Sequence, residues 1–201
     1  MKYNKDTSEK ILKAANIEFE EKGYNGARMQ AIADRAGINK ALLHYYYKSK
    51  DVLFQLIIKE AFTIFIPRIM DVFKEDSDIF TTIRKFVDNY IDIYIKHPRI
   101  PAFITQEINN NPDRLVYLLH SKGLNTDMFI KKIEKAIDEE QIKNTDPKQL
   151  LLNIISLCLF PFIARPIVTE LILDGSKEKY NKLIKERKKE VAEFIINAIK
   201  K

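Results

Sequence analysis

The stretch that decides the fold of this chain is residues 31–51, which read AIADRAGINKALLHYYYKSKD. Apolar residues before Gly37 recur at the spacing of one helix face, and Gly37 favours the left-handed conformation that often ends a helix. Asn39 has the position and chemistry of an N-cap for a second short helix, predicted to end at Tyr46. Two short helices joined by a tight turn that contains glycine are typical of a helix-turn-helix.

The second of these helices is predicted to enter a major groove, which admits one helix and offers base edges to its side chains. Four residues make up its outward face: Lys40, Ala41, His44 and Tyr45. Three residues flank this face as donors to phosphate: Tyr46, Lys48 and Lys50. Three others are predicted to fill the small core of the domain: Ile32, Leu43 and Tyr47.

An ordinary helical hairpin with an interior tyrosine cluster is the alternative for this stretch. Successive residues on a helix are rotated by about 100°, so Tyr45, Tyr46 and Tyr47 cannot all point inward. At least one of them faces solvent or a partner, beside Lys48 and Lys50. This arrangement favours the DNA-binding interpretation.

Composition limits the class of protein. Glycine is scarce, tryptophan is absent and helix-forming residues run in long stretches, so caps and breakers predict an all-α chain of about nine helices. The net charge is +6, and residues 1–50 hold ten Lys/Arg against six Asp/Glu, which leaves a net of +4 in the first quarter. A basic excess at one end is what a DNA-contacting surface requires.

Cysteine usage and hydropathy are typical of a cytoplasmic protein. Cys158 is the single cysteine, so no disulfide forms within the chain, and it is predicted to lie in the core. The longest apolar run, residues 150–164, is too short for a membrane span, which needs about 20 residues. Charged residues near the start interrupt any leader-like apolar stretch.

A wider pattern surrounds the helix-turn-helix and resembles the N-terminal domain of the TetR family of transcriptional regulators. The resemblance covers about residues 7–55, in the order and spacing of the family. It rests on these elements: Lys10–Ala15, Phe19, Gly23-Tyr24, Ile32-Ala33, Ala36–Ile38, the tyrosine cluster and Lys48–Leu53. It implies a helix-turn-helix domain over residues 1–48 and a helical effector-binding and dimerisation domain over residues 49–201.

The resemblance also implies particular DNA contacts. Base contacts fall on five positions: Gln30, Lys40, Ala41, Leu42 and Tyr45. Phosphate contacts fall on Tyr46 and Lys50. The chain departs from the family pattern at three places, which concern the operator sequence. His44 replaces the usual tyrosine, and Tyr47 replaces the usual phenylalanine. Ala27-Arg28 replaces a Thr/Ser-rich segment, so that Arg28 provides a charged phosphate contact in place of a hydroxyl.

The larger domain is expected to form a homodimer through its last two helices and to bind a small-molecule effector, as the family does. Seven residues are candidates for the effector site: Tyr90, Tyr94, Phe103, Tyr117, Phe129, Phe162 and Arg165. Arg165 is the candidate partner of an acidic effector group. Ordinary core packing is the alternative for the aromatic residues. The fourth helix, from Lys50 past Pro67, is the hypothetical lever between effector and DNA.

Other classes of protein fit the sequence less well. The chain has no phosphate-cradling glycine pair, no HExxH or CxxC motif and only three histidines, so neither an enzyme nor a metal or other cofactor is expected. A helical interaction or ligand-binding module without DNA affinity is the remaining alternative. The sequence therefore predicts a DNA-binding transcriptional regulator, released from a palindromic operator by an effector.

Overall fold

The computed structural model describes residues 5–201, apart from the side chain of Glu20, and is all-α, as predicted. No β-strand occurs in this part of the chain. Its α-helices are α1 (Lys5–Gly26), α2 (Met29–Ala36), α3 (Lys40–Tyr46), α4 (Lys50–Lys74), α5 (Ile79–Lys96), α6 (Ile100–Asn110), α7 (Pro112–Ser121), α8 (Asp127–Asp138), α9 (Pro147–Ile163), α10 (Arg165–Ile167) and α11 (Lys177–Ile199). A π-helix, Val168–Ile172, lies between α10 and α11.

The chain folds as two compact units that divide inside α4, after Thr63. The DNA-binding domain predicted over residues 1–48 lies within the first unit, and its first four residues lie outside the described part. The predicted boundary falls just before α4, whereas the first unit also includes the first half of that helix. The second unit begins at Ile64 and contains every later helix.

The first unit is built around α1, α2 and α3, which pack in sequence. Seven apolar side chains with no exposed surface form its centre: Ile11, Ala15, Phe19, Ile32, Ala33, Leu43 and Leu53. Tyr47 is also buried, so the predicted core role of Ile32, Leu43 and Tyr47 is confirmed. Gly23 interrupts α1 with a φ of 68°, at the residue where the sequence predicts the end of the first helix.

The second unit has α5 and α11 as its most extensive helix pair, with α9 packed against both. Seven buried residues of α5 and α11 contribute to its core: Ile83, Val87, Ile91, Tyr94, Ile184, Val191 and Ile195. Pro161 lies inside α9 and has no N–H to donate to the carbonyl of Leu157. Arg187 of α11 donates to that carbonyl at 2.7 Å, so a polar contact between helices replaces the lost helical bond.

The described residues form twelve helices, whereas the sequence predicts about nine. The segment from Asp113 to Gln141, predicted as one helix with a break near Lys122-Gly123, forms α7 and α8, and Gly123 adopts a left-handed φ of 87° between them. The helix opened by Asp146 stops at Ile163, and the chain then bends by 68° into α10 and the π-helix. Pro67 does not end α4, which continues to Lys74.

Within residues 5–201, no single helix is both long and apolar enough to cross a bilayer. One bent pair, Pro147–Ile163 with Arg165–Ile172, reaches that length and composition only when its two parts are taken together.

Candidate nucleic-acid interface

The turn between α2 and α3 is a Schellman motif centred on Gly37. This glycine has φ 69° and ψ 32°, a left-handed conformation that costs a residue with a side chain about 1 kcal/mol or more. Its N–H donates to Asp34 at 3.1 Å, and the N–H of Ile38 donates to Ala33 at 3.0 Å. These bonds satisfy the last carbonyls of α2 and fix the direction in which α3 leaves the turn.

Asn39 begins α3 as predicted. Its side-chain oxygen accepts a hydrogen bond from the N–H of Leu42 at 2.7 Å, which satisfies one of the free donors at the start of the helix. Ser49 caps α4 in the same way, accepting from the N–H of Val52 at 3.2 Å. The starts of α3 and α4 are therefore both set by local side-chain hydrogen bonds.

The side chains of α3 divide cleanly into a buried and an exposed set. Leu43 has no exposed surface, and Tyr47, directly after the helix, is only 7% exposed. The four predicted outward residues are all exposed: Lys40, Ala41, His44 and Tyr45. Leu42 is also exposed, at the margin of the same face. The part of α3 that could enter a groove therefore has no role in closing the core.

The tyrosine cluster points in three directions. Tyr45 is 55% exposed, Tyr46 is half-buried and Tyr47 is buried, which follows from their rotation around the helix axis. The rings of Tyr45 and Tyr46 meet edge to face at 5.8 Å. The hydroxyl of Tyr47 lies 2.7 Å from the hydroxyl of Ser8, which ties the end of α3 to α1. Of the three, only Tyr45 and Tyr46 keep appreciable exposed surface.

Lys50 is held in place by two contacts with residues that follow Gly23. Its ammonium lies 4.6 Å from the ring centroid of Tyr24 and donates to the carbonyl of Ala27 at 3.2 Å. The Tyr24 ring in turn packs on Phe54 at 4.8 Å. Because an ammonium has three N–H donors, the bond to Ala27 leaves donors for a phosphate. Burial and the neighbouring Asp51 raise the pKa of Tyr24, so this ring remains neutral beside Lys50.

The other predicted contact residues around α2 and α3 are exposed. The Gln30 amide donates to Asp34 at 2.7 Å, a bond that a base edge would have to replace. Arg28 stands at the N-cap position of α2 and its side chain does not cap that helix. Lys48 is exposed, and its carbonyl lies 3.2 Å from Nδ1 of His44. Cationic and polar groups therefore surround the free face of α3, as the backbone of DNA requires.

Residues 11–57 match the model of a known protein family, the bacterial regulatory proteins of the tetR family. Over these residues the chain has the sequence pattern of the TetR family of transcriptional regulators. The match spans the whole helix-turn-helix and the start of α4. The chain is therefore a DNA-binding regulator of transcription, not an enzyme.

Individual relatives extend the similarity beyond that domain. IcaR of Staphylococcus epidermidis, a negative transcriptional regulator of the biofilm operon icaADBC, is 25% identical over 187 residues, which is 86% of this chain and 91% of IcaR. RutR of Escherichia coli is 26% identical over 98 residues, about half of each protein (49% and 46%). The solved structure of KstR2 from Mycobacterium tuberculosis superposes with a TM-score of 0.69 at 16% identity, covering 100% of this chain and 97% of KstR2, which shows the shared fold.

The second unit brings three of the predicted effector residues together. Tyr94, Phe162 and Arg165 line one cavity of about 300 Å³, called the Arg165 cavity, between the ends of α5 and α9, α10 and the first half of α11. The Tyr94 and Phe162 rings meet edge to face at 5.1 Å. The Tyr90 ring packs on Tyr94 at 5.1 Å, behind the wall of the cavity.

The remaining predicted effector residues do not line the Arg165 cavity. Phe129 is buried against Phe73 and Phe86, with centroids 5.5 and 6.2 Å away, and Phe103 is buried in α6. Tyr117 is 75% exposed, so its placement in an aromatic pocket with the others is wrong: α7 packs inward through Leu115 and turns Tyr117 to the surface. Tyr180 and Lys185 also line the cavity, although neither is among the predicted effector residues.

Proposed function

We propose that this regulator is a homodimeric repressor that binds a palindromic operator through α3 and is released from it by a small-molecule effector. The observation that carries the DNA-binding part is the division of α3 into one buried face and one free face rich in polar and aromatic groups. A helix whose free face has no packing role can be inserted into a major groove without disturbing the domain. The proposed base contacts are Gln30, Lys40, Ala41, Leu42 and Tyr45, with His44 on the same face.

The proposed backbone contacts are the exposed or partly exposed donors around α3: Arg28, Tyr46, Lys48 and Lys50. Phosphate contacts position a protein on DNA without reading its sequence. The contacts of Lys50 with Tyr24 and Ala27 support this role, because they hold the ammonium in one place before DNA is bound.

We infer that the dimer forms through α9 and α11, on the basis of an exposed apolar surface. Leu152, Phe160 and Ile163 lie on one face of α9, and all three are exposed although they are large and apolar. Phe194 is the corresponding exposed residue of α11. A surface of this kind usually marks an interaction site, and burying each such side chain contributes about 1.5–3 kcal/mol. A second copy of the chain is the proposed partner.

Dimerisation also accounts for the small size of the recognition helix. One helix of seven residues makes few base contacts, whereas two copies about 34–36 Å apart read the two halves of a palindrome. Repression, rather than activation, is supported by the relatives, since IcaR is named a negative regulator and NicS of Pseudomonas putida a repressor. Their similarity also supports a cytoplasmic location for this chain.

The effector is proposed to act by shifting a population of conformations. It would bind in the second unit and favour a state whose recognition helices no longer match the operator half-sites. The continuity of α4, which begins at Lys50 and runs past Thr63 into the second unit, supports its role as the lever. Locking α4 to its neighbours by a cross-link is expected to abolish induction while DNA binding persists.

The decisive experiment is selection of bound fragments from the native genome with the full chain, followed by titration of the selected duplex. We expect a palindromic site and a loss of affinity of several orders of magnitude between about 50 and 200 mM salt, because bound phosphates release counterions. A scrambled duplex of equal length is the control. A dimer that binds neither duplex in dilute buffer would instead be an interaction module without DNA affinity.

A further inference from the structure

The Arg165 cavity is lined by both apolar and positively charged side chains. Four of its nine lining residues are apolar: Ile95, Pro98, Phe162 and Ile184. Its charged groups are Arg165 and Lys185, and no carboxylate is among the residues that line it. With a volume of about 300 Å³, it lies at the lower end of the range of small-molecule pockets. The cavity is therefore apolar and positively charged at the same time.

Several lysines of α11 outside the cavity are paired with acids of the chain. Lys179, Lys182 and Lys188 of α11 each pair with a carboxylate, those of Asp174, Glu186 and Asp92. Within the described part of the chain, neither Arg165 nor Lys185 makes such a pair. The guanidinium of Arg165 instead lies 4.9 Å from the centroid of the Tyr180 ring, where it is oriented by a cation–π contact. No acid among the described residues pairs with its N–H donors.

The inner wall offers a further polar group. The Tyr94 hydroxyl is completely buried and has no hydrogen-bond partner of good geometry. Burial, reinforced by the nearby phenol of Tyr90, raises the pKa of Tyr94 well above its ordinary value, so the hydroxyl keeps its proton. Tyr94 therefore contributes a neutral side chain to the wall of the cavity.

We propose that the Arg165 cavity binds a small amphipathic anion, with its carboxylate or phosphate on Arg165 and Lys185 and its apolar body against Phe162 and Ile184. This inference rests on the proposed effector function and assigns a chemical class to the effector. The fork of N–H groups on arginine matches the geometry of either oxyanion, so the two are separated by experiment.

The position of the cavity connects the ligand to the proposed dimer surface. Arg165 directly follows the end of α9, and the Tyr180 hydroxyl donates to the carbonyl of Pro161 at 3.2 Å. An anion bound to Arg165 and Lys185 therefore joins the end of α9 to α11 across this contact. Exposed apolar residues of these two helices are proposed to contact a second copy of the chain. Anion binding therefore acts on the helix pair that forms the proposed dimer interface.

The test is calorimetric titration of the full chain with octanoate and with octyl phosphate, in the absence of DNA. Octanol and octylammonium are the matched ligands without the negative charge. We expect at least one of the two anions to bind with a Kd below about 1 mM and both uncharged and cationic analogues to bind at least about tenfold more weakly. Binding of octanol as tight as that of octanoate, or of no anion at all, would overturn the proposal.

Variants separate the cavity from the rest of the surface. Arg165→Gln and Lys185→Gln are each expected to weaken anion binding about tenfold or more, and Arg165→Lys to retain part of the affinity. Lys182→Gln, on the same helix but outside the cavity, is the control and should leave affinity unchanged. Circular dichroism of each variant establishes that it is folded, and equal affinities for all variants would contradict the assignment.

Release from operator DNA is measured separately with the same ligands. Anion binding that depends on Arg165 but does not weaken the DNA complex supports the cavity assignment and contradicts its effector role. Release of DNA by other molecules, with no anion bound at Arg165, supports the effector function and overturns the assigned chemical class. The two proposals therefore fail in different ways.

Discussion

The hydroxyl of Tyr47 lies 2.7 Å from the hydroxyl of Ser8, and this bond ties the end of the recognition helix to α1. The TetR-family pattern usually has phenylalanine at the position of Tyr47, so the bond is a feature of this chain. We predict that Tyr47→Phe lowers the free energy of unfolding by about 1 kcal/mol, because the ring still fills the core while a partly buried hydrogen bond is lost. Chemical denaturation measures the change.

A double-mutant cycle provides the control for this bond. Ser8→Ala removes the same interaction from the other side, so the double variant should be hardly less stable than either single one. Additive losses would show that the two hydroxyls do not stabilise each other.

The proposed DNA contacts divide into two kinds that respond differently to substitution. Lys50→Ala is predicted to weaken binding to operator and random duplex alike, since phosphate contacts carry no sequence information. Gln30→Ala and Tyr45→Ala are predicted to cost about 1–3 kcal/mol on the operator and much less on random DNA. Fluorescence anisotropy with both duplexes makes the comparison. Lys59→Ala, an exposed lysine further along α4, is the matched control.

The exposed face of α9 predicts the effect of a charge at its centre. Phe160 is 63% exposed in the single chain, so Phe160→Glu should fold normally but oppose burial against a second copy. Analytical ultracentrifugation is expected to show a shift towards monomer, with a loss of operator affinity. Val116→Glu places the same charge on an exposed apolar residue of α7. A dimer that is unaffected by the first substitution would place the interface elsewhere.

The ion pairs between α5 and α11 predict a pH dependence of stability. Lys188 contacts Asp92 and lies 3.1 Å from Asp88, and the hydrogen bond from Lys188 holds the pKa of Asp92 below its ordinary value. A carboxyl whose pKa is lower in the folded state stabilises the fold above its unfolded pKa of about 4, and this stabilisation is lost as the pH falls through the folded value. We therefore predict that Lys188→Met costs about 1 kcal/mol at neutral pH and progressively less below about pH 4.

Denaturation at a series of pH values tests this prediction. Lys182→Met is the control, because its pair with Glu186 at 3.8 Å is exposed and contributes little. The same loss for Lys188→Met at neutral and strongly acidic pH would mean that packing of the side chain, rather than the ion pair, is responsible.

Features set by neighbouring residues could be predicted from the sequence. The caps at Asn39 and Ser49 each act within three residues, and both are present with the expected hydrogen bonds. The left-handed Gly37 is equally local, since it depends on the absence of a side chain at one position. The exposed face of α3 follows from these boundaries and from the helix period.

Features set by distant residues could be predicted only in part. Tyr94, Phe162 and Arg165 were effector candidates, but the sequence does not indicate that they share a cavity with Tyr180, because these residues become neighbours only when α5, α9 and α11 pack together. The position of Tyr117 depends on which side of α7 is covered, and the aromatic side chain itself does not indicate this. Both depend on long-range packing, for which a single sequence has no local pattern.

The division of the α3 side chains into a buried set and an exposed set has a practical consequence for engineering. Lys40, Ala41, His44 and Tyr45 contribute nothing to the interior, which is closed from the other side by Leu43 and Tyr47. The four outer positions can therefore be randomised together while the scaffold keeps its shape. Retargeting such a protein to a new promoter can therefore begin with these four side chains.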